Sequence, residues 1–130
     1  MGVQLPKRAQ ALIEAKNLGH LATAMPDGSP HVAPVWIDRD DGHILVNTAE
    51  GRQKLKNIRR DPRVALDVVN ADDPYEMVAL RGRVVDVTHD GADAHIDKLA
   101  KKYPGRDTYP FRQPGEKRVI IRIEPEKLTD

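Results

Sequence analysis

Apolar positions along the chain switch between two spacings. From Pro6 to Asn17 they recur at helical intervals: Ala9, Leu12 and Ile13 share a face, Pro6 suits a first helical position, and Asn17-Leu18-Gly19 ends the segment. Beyond it the stretches His20–Ala24, Pro30–Ile37 and His43–Asn47 read as strands. The turn signals Pro26-Asp27-Gly28 and Asp38-Arg39-Asp40-Asp41-Gly42 separate them and predict an antiparallel meander. A second helix is expected to start at Asn47 or Thr48, because Asn47 and Glu50 have capping-box spacing, and to stop at Pro62. Arg63–Val69 and Tyr75–Val87 read as the next two strands, joined by the loop Asn70–Pro74. Asp90 is expected to cap a third helix, with Ala92, Ile96, Leu99, Ala100 and Tyr103 as its apolar stripe. From Tyr103 to Gly115 the chain is too rich in Pro and Gly to be regular. Arg118–Ile123 then closes the series as a strand with Val119, Ile121 and Ile123 on one face. Roughly six strands with three short helices predict a mainly β architecture, a small barrel rather than an alternating parallel sheet.

Composition narrows the class. The 130 residues fit a single domain, 1–130, and 39% hydrophobic with 32% charged residues is a globular balance that excludes a disordered chain. Lys plus Arg number 21 against 20 Asp plus Glu, so a net charge of +1 leaves no global basic footprint for nucleic acid. Without cysteine there is no disulfide scaffold, thiol catalysis or Cys-ligated zinc, which fits a cytoplasmic protein. The polar N-terminal stretch lacks a signal peptide's apolar segment, and no run approaches the roughly 20 apolar residues of a membrane span. The five aromatic residues, Trp36, Tyr75, Tyr103, Tyr109 and Phe111, are too few for a platform that stacks on single strands. A flat ligand is therefore expected to rest largely on aliphatic side chains and backbone.

Candidate chemistry concentrates between residues 52 and 63, where Arg52, Lys54, Lys56, Arg59, Arg60 and Arg63 face only Asp61. Cations in a last helical turn complement the helix dipole, which gives Arg59 and Arg60 an ordinary role. Arg52 and Lys54 oppose the dipole at the helix start. A phosphate or carboxylate held there by free amides and side chains, with Gly51 allowing close approach, would account for them. Pro34-Val35-Trp36 interrupts a strand. Either a ligand ring lies over the break, or this is an edge strand with Trp36 packed into the core or a dimer contact. The five histidines lack metal-ligand spacing, and Asp38-Arg39-Asp40-Asp41-Gly42 misplaces the glycine and the glutamate of a calcium loop. No phosphate-loop, dinucleotide or nucleophile-elbow motif is present, so in an enzyme a cofactor would carry the chemistry.

The order of these segments resembles a known family. His20-Leu-Ala-Thr-Ala, Asp27 to Trp36, Ile44 to Lys54, Lys56 to Arg63 and Leu80-Arg-Gly-Arg-Val84 are similar to the pyridoxamine 5′-phosphate oxidase-like split β-barrel proteins, and more specifically to actinobacterial deazaflavin-dependent reductases that use coenzyme F420. The resemblance runs from about His20 to Pro125. It implies an oxidoreductase that passes a hydride from reduced F420 to a small organic acceptor, working as a homodimer with cofactor sites at the subunit interface. By position, Arg52 and Lys54 would grip the cofactor phosphate, Asn47, Thr48 and Ala49 would contact it alongside, and Lys56 would reach its charged tail. Pro34, Val35 and Trp36 would line the ring, with Tyr75 and Met77 approaching from the partner subunit. The same resemblance admits FMN in place of F420, in an oxidase or flavin reductase, and a non-catalytic cofactor-binding dimer.

Overall fold

A computed structural model describes residues 2–130. The elements follow in the order α1 (Lys7–Glu14), β1 (Gly19–Ala24), β2 (Pro30–Val35), β3 (Ile37–Asp40), β4 (His43–Ala49), α2 (Gln53–Arg60), β5 (Arg63–Asn70), β6 (Asp73–Thr88), α3 (Ala92–Lys102) and β7 (Arg118–Leu128). All seven strands belong to one antiparallel sheet in the order β2-β1-β5-β6-β7-β4-β3. Only Trp36 separates β2 from β3 in the chain, yet the two strands lie at opposite edges of the sheet. The sheet can satisfy both conditions only by curling until its edges meet, which makes it a split β-barrel.

This corner corrects the single strand expected over Pro30–Ile37 and the simple meander built on it. Val35 pairs with Gly19 on one edge, and Ile37 pairs with Val46 on the other, so the count is seven strands rather than six. Two facing ladders compete for one run of backbone, and the interruption lets each half keep its own partner. Pro34, which has no N–H to donate, sits opposite His20 on the edge strand β2, where a missing donor costs little.

Two expected helix caps are also corrected. Asn47 and Thr48 remain in β4, paired with Ile120 and Val119 of β7, and α2 begins only at Gln53 with Arg52 at the cap. Six paired positions along β4 and β7 outweigh one local side-chain cap. Gly51, at φ +92°, then makes the turn into the helix, a conformation that a side chain would strain. At α3 the capping position falls on Gly91, at φ +75°, and Asp90 lies before it.

The core fills the curl. Ala9, Leu12 and Ile13 of α1 are buried, as their helical spacing predicts, in the same cluster as Leu21, Ile37, Val46, Leu66, Val68, Ile121 and Ile123 from the strands. Gly82 lies where the β6–β7 register shifts, and a Cβ there would come within 2.7 Å of the Glu124 carbonyl oxygen. No helix among the described residues is long and apolar enough to cross a membrane.

Candidate functional site: a cationic groove at the barrel corner

The corner at Trp36 is flanked by the end of β4 and the start of α2, and together they form the floor and one wall of a groove. Pro34, Val35, Trp36, Asn47, Thr48, Arg52 and Lys54 all line it. Four residues expected at a cofactor site do not. Ala49 is buried under the floor, opposite Arg118 in the β4–β7 ladder. Lys56 is exposed on α2 outside the groove. Tyr75, 95% exposed, and Met77 lie on β6, away from the groove of their own chain.

Three structural facts give the groove its chemistry. The first is charge. Arg52, Lys54 and Arg118 converge on it, and no carboxylate is among its lining residues. Burial first, and then the charges of Arg52 and Arg118, push the Lys54 ammonium below its ordinary pKa. Such a cluster is more stable with an anion among its members than without one. No side chain caps α2, so its first amides point toward the same end of the helix as Arg52 and Lys54.

The second fact is that Arg118, unlike Arg52 and Lys54, is anchored. Its Nη1 donates to the Glu116 carboxylate at 2.6 Å and its Nε to Asn47 Oδ1 at 2.9 Å, with the side chain only 6% exposed. The carbon of its guanidinium stands 5.0 Å from the centre of the Tyr109 ring. Burial pushes the Glu116 carboxyl up, but the hydrogen bond and charge of Arg118 outweigh this and hold it below its ordinary value.

The third fact is aromatic. Trp36 stacks on Tyr103 at 5.3 Å and 7°, meets Tyr109 edge-on at 5.9 Å, and Tyr109 meets Phe111 in the same manner at 5.7 Å. Four of the five aromatic residues therefore form one ladder, of which Trp36, Tyr109 and Phe111 face the groove. Trp36 packs on Tyr103, as the second of the two sequence readings expects, and also borders the groove. The fifth aromatic, Tyr75, is elsewhere.

Sequence reasoning did not single out Ile96, Tyr109, Phe111 or Arg118 as groove residues. For Arg118 a signal was available. With Val119, Ile121 and Ile123 inward, strand alternation puts Arg118 on the opposite face, at the end of the strand beside β4. The groove holds about 170 Å3. Sites that enclose a small molecule hold roughly 300–1,000 Å3, so one chain supplies a floor and a wall rather than an enclosure.

Three other cations of the basic cluster have partners of their own. Arg59 binds both oxygens of Glu50, Arg63 binds Asp61, and Arg60 donates to the Ala24 carbonyl and Asn57.

Residues 5–130 match the family model of pyridoxamine 5′-phosphate oxidase. Among solved structures, an F420 reductase is 35% identical over 96% of this chain and 98% of its own, with a TM-score of 0.84. A conserved hypothetical protein from Mycobacterium tuberculosis is 26% identical, covering 98% of this chain and 84% of its own, with a TM-score of 0.72. HupZ from group A Streptococcus, 20% identical over 96% of this chain and 92% of its own at a TM-score of 0.69, shares the fold. The chain thus belongs to the pyridoxamine 5′-phosphate oxidase-like split β-barrel family, in the branch that holds the F420 reductase.

Proposed function

We propose that the groove binds coenzyme F420 through its phosphate and that the protein is an F420-dependent oxidoreductase acting on a small organic acceptor. The observation that carries this reading is the convergence of Arg52, Lys54 and Arg118, without a carboxylate, beside the Pro34–Trp36 corner. The 35% identity to an F420 reductase over nearly all of both chains supports the choice of cofactor.

The residues present fit such a group. Arg52 and Lys54 at the open start of α2 suit a phosphate, and Arg118 sets a fixed positive charge in the floor. Pro34 and Val35 offer an apolar edge, and Trp36 is in neither the β1–β2 nor the β3–β4 ladder. When bound, reduced deazaflavin supplies a hydride. The chain's part is to hold and orient the ring, exclude water with Tyr109 and Phe111, and stabilise negative charge that forms. No carboxyl or imidazole lines the groove among the described residues, and on this reading water supplies the proton that completes a reduction.

The small volume of the groove supports a homodimer in which a second copy closes the site, with the partner subunit's Tyr75 and Met77 over the ring. The exposed Lys56 of α2 then faces the anionic tail of the cofactor.

Equilibrium titration of the purified protein with F420, FMN and FAD, followed by fluorescence, tests the proposal. F420 binding most tightly, and turning over with at least one activated alkene, imine or quinone, is the expected result. Copurifying flavin and preferential FMN binding would move the protein to the flavin-dependent members of the fold. Tight F420 binding with no transfer to any acceptor would make it a cofactor-binding dimer without catalysis.

A further inference from the structure

Behind the groove floor lies a chain of hydrogen bonds in which every donor and acceptor is determined. Asn47 Oδ1 accepts from Arg118 Nε at 2.9 Å, and Asn47 Nδ2 donates to the Ala92 carbonyl at 2.9 Å. A guanidinium can only donate and a carbonyl can only accept, so the Asn47 amide has one possible orientation. Its Nδ2 also lies 3.1 Å from Nδ1 of His95 on α3. That nitrogen must then be the acceptor, which puts the ring proton on Nε2. Nε2 donates in turn to Asp38 Oδ2 on β3 at 3.1 Å, and the same oxygen accepts from Lys98 Nζ at 2.9 Å.

The relay runs from an exposed lysine to the groove and becomes drier on the way. The side chain of Lys98 is 67% exposed, that of Asp38 16% and that of His95 8%. Burial works against the Asp38 carboxylate, but hydrogen bonds from His95 and Lys98 overcome it and keep Asp38 ionised, a fixed acceptor for Nε2. The groups around His95 are thus Asp38 from β3, Asn47 from β4, Lys98 on its own helix and, one bond beyond Asn47, Arg118 from β7.

We infer that His95, held by Asp38, is a positioning residue: through Asn47 it sets the Arg118 guanidinium in the groove floor where an anionic ligand is received. Touching no ligand itself, it acts by steadying an Asn47 amide whose direction Arg118 and the Ala92 carbonyl set. Without the His95 acceptor, Asn47 keeps its bonds to Arg118 and the Ala92 carbonyl but loses the third that steadies it, and its hold on the Arg118 Nε loosens. The value of this for binding rests on the F420 reading given above, whereas the relay itself is a property of the ligand-free protein.

Two measurements separate these levels. In ligand-free protein with 15N-labelled histidine, long-range proton–nitrogen correlation near neutral pH should show His95 with a bare Nδ1 and a protonated Nε2, its signals assigned by their loss in His95→Gln. In the same state the Arg118 Nε proton should exchange with water several-fold faster in His95→Met than in the unsubstituted protein. His95→Gln, whose amide offers both an acceptor and a donor, should restore slow exchange. A proton on Nδ1, or Arg118 exchange that ignores His95→Met, would overturn the inference without touching the cofactor reading.

In F420 titrations His95→Met should weaken binding about tenfold and His95→Gln by no more than about threefold, the scale of a lost or kept buried hydrogen bond. In an Asn47→Ala background His95→Met should add no further loss. Equal losses in both backgrounds would show that His95 does not act through Asn47, and so overturn the inference. Failure of the unsubstituted protein to bind F420 would instead sink the cofactor reading, leaving the two ligand-free measurements to decide the relay.

Discussion

The two ends of α2 carry similar charge and different chemistry. At its C-terminal end Arg59 is held by Glu50, Arg63 by Asp61, and Arg60 by a carbonyl and Asn57. There the cations complement the helix dipole and have acidic or carbonyl partners of their own. At the N-terminal end Arg52 and Lys54 oppose the dipole, make no ion pair among the described residues, and face a groove without a carboxylate. In sequence the helix dipole alone separates Arg59 and Arg60 from Arg52 and Lys54. In the fold the C-terminal end of the cluster is paired and the N-terminal end is not, and the distinction lies in the unmet charge rather than in charge density.

Arg118 tests the comparison hardest, because it belongs to both kinds: it faces the groove yet is paired. Replacing it by Met strands the Glu116 carboxylate, 8% exposed, without its counter-charge. Breaking a buried pair from one side should cost about 3 kcal/mol, read as a large fall in Tm together with loss of cofactor binding. A variant that lost binding but kept its Tm would mean that Arg118 is an unmet cation like Arg52.

Arg52→Ala should do the reverse. Removing one charge-assisted contact to a phosphate should weaken F420 binding by about 1.5–3 kcal/mol, or roughly 10- to 150-fold. Since Arg52 opposes the dipole, stability should stay level or rise slightly. Unchanged affinity in a fluorescence titration would remove Arg52 from the site.

How far this division was legible in the sequence follows from the range of the interactions involved. Arg52 and Lys54 stood out because a cation at a helix start conflicts with a dipole made by the next few residues, a local signal. The buried face of α1 and the strands β5 and β6 were legible for the same reason, through their periodicity. The corner at Trp36 was not. Whether Val35 pairs with Gly19 and Ile37 with Val46 is decided by strands far along the chain, and local pattern runs straight through the break. Asn47 and Thr48 misled because the residues that cap helices also fit a strand end, and β7, some seventy positions on, settles which. Tyr109 and Phe111 come from an irregular loop, where no period exists to say which way a side chain faces. His95 lay beside the predicted stripe of α3, but its partners Asp38 and Asn47 are fixed only by the fold.

Lys102 sharpens the criterion, since it too is a cation without an ion pair and still has no ligand to receive. Its Nζ donates to the Ile13 carbonyl at 2.5 Å and the Ile37 carbonyl at 2.9 Å, and it stands 4.9 Å from the Tyr103 ring, so its donors are met. Burial lowers its pKa from 10.5 to about 8. Between those values the unfolded chain binds more protons at this site than the folded one, so this group makes stability rise with pH across the window. Comparing Tm against pH from 8 to 10 for the unsubstituted protein and Lys102→Met should show an upward contribution that the substitution abolishes, with F420 affinity retained. A loss of affinity instead would mean that an unpaired cation outside the groove also serves the ligand, and the criterion of unmet donors would fall.

The smallest expected effect is at Arg59, and the comparison depends on its being small. The Arg59–Glu50 pair is bidentate, at 2.6 and 2.8 Å, and its hydrogen bond is the first cause that holds the Glu50 carboxyl down at about 2. Both side chains are nevertheless substantially exposed, at 46% and 33%, so water screens the pair and little stability rides on it. Arg59→Ala should lower Tm by no more than about 4 °C and leave F420 affinity within twofold. The released Glu50 keeps its second partner, His89, at 2.9 Å, which restrains it from swinging toward Arg52. Should Arg59→Ala weaken F420 binding as much as Arg52→Ala does, the long-range field of the whole cluster would be what attracts the cofactor. Raising the ionic strength would then separate the cases. A field effect fades as salt shortens the screening length to a few ångströms, whereas direct contact in a half-buried groove persists.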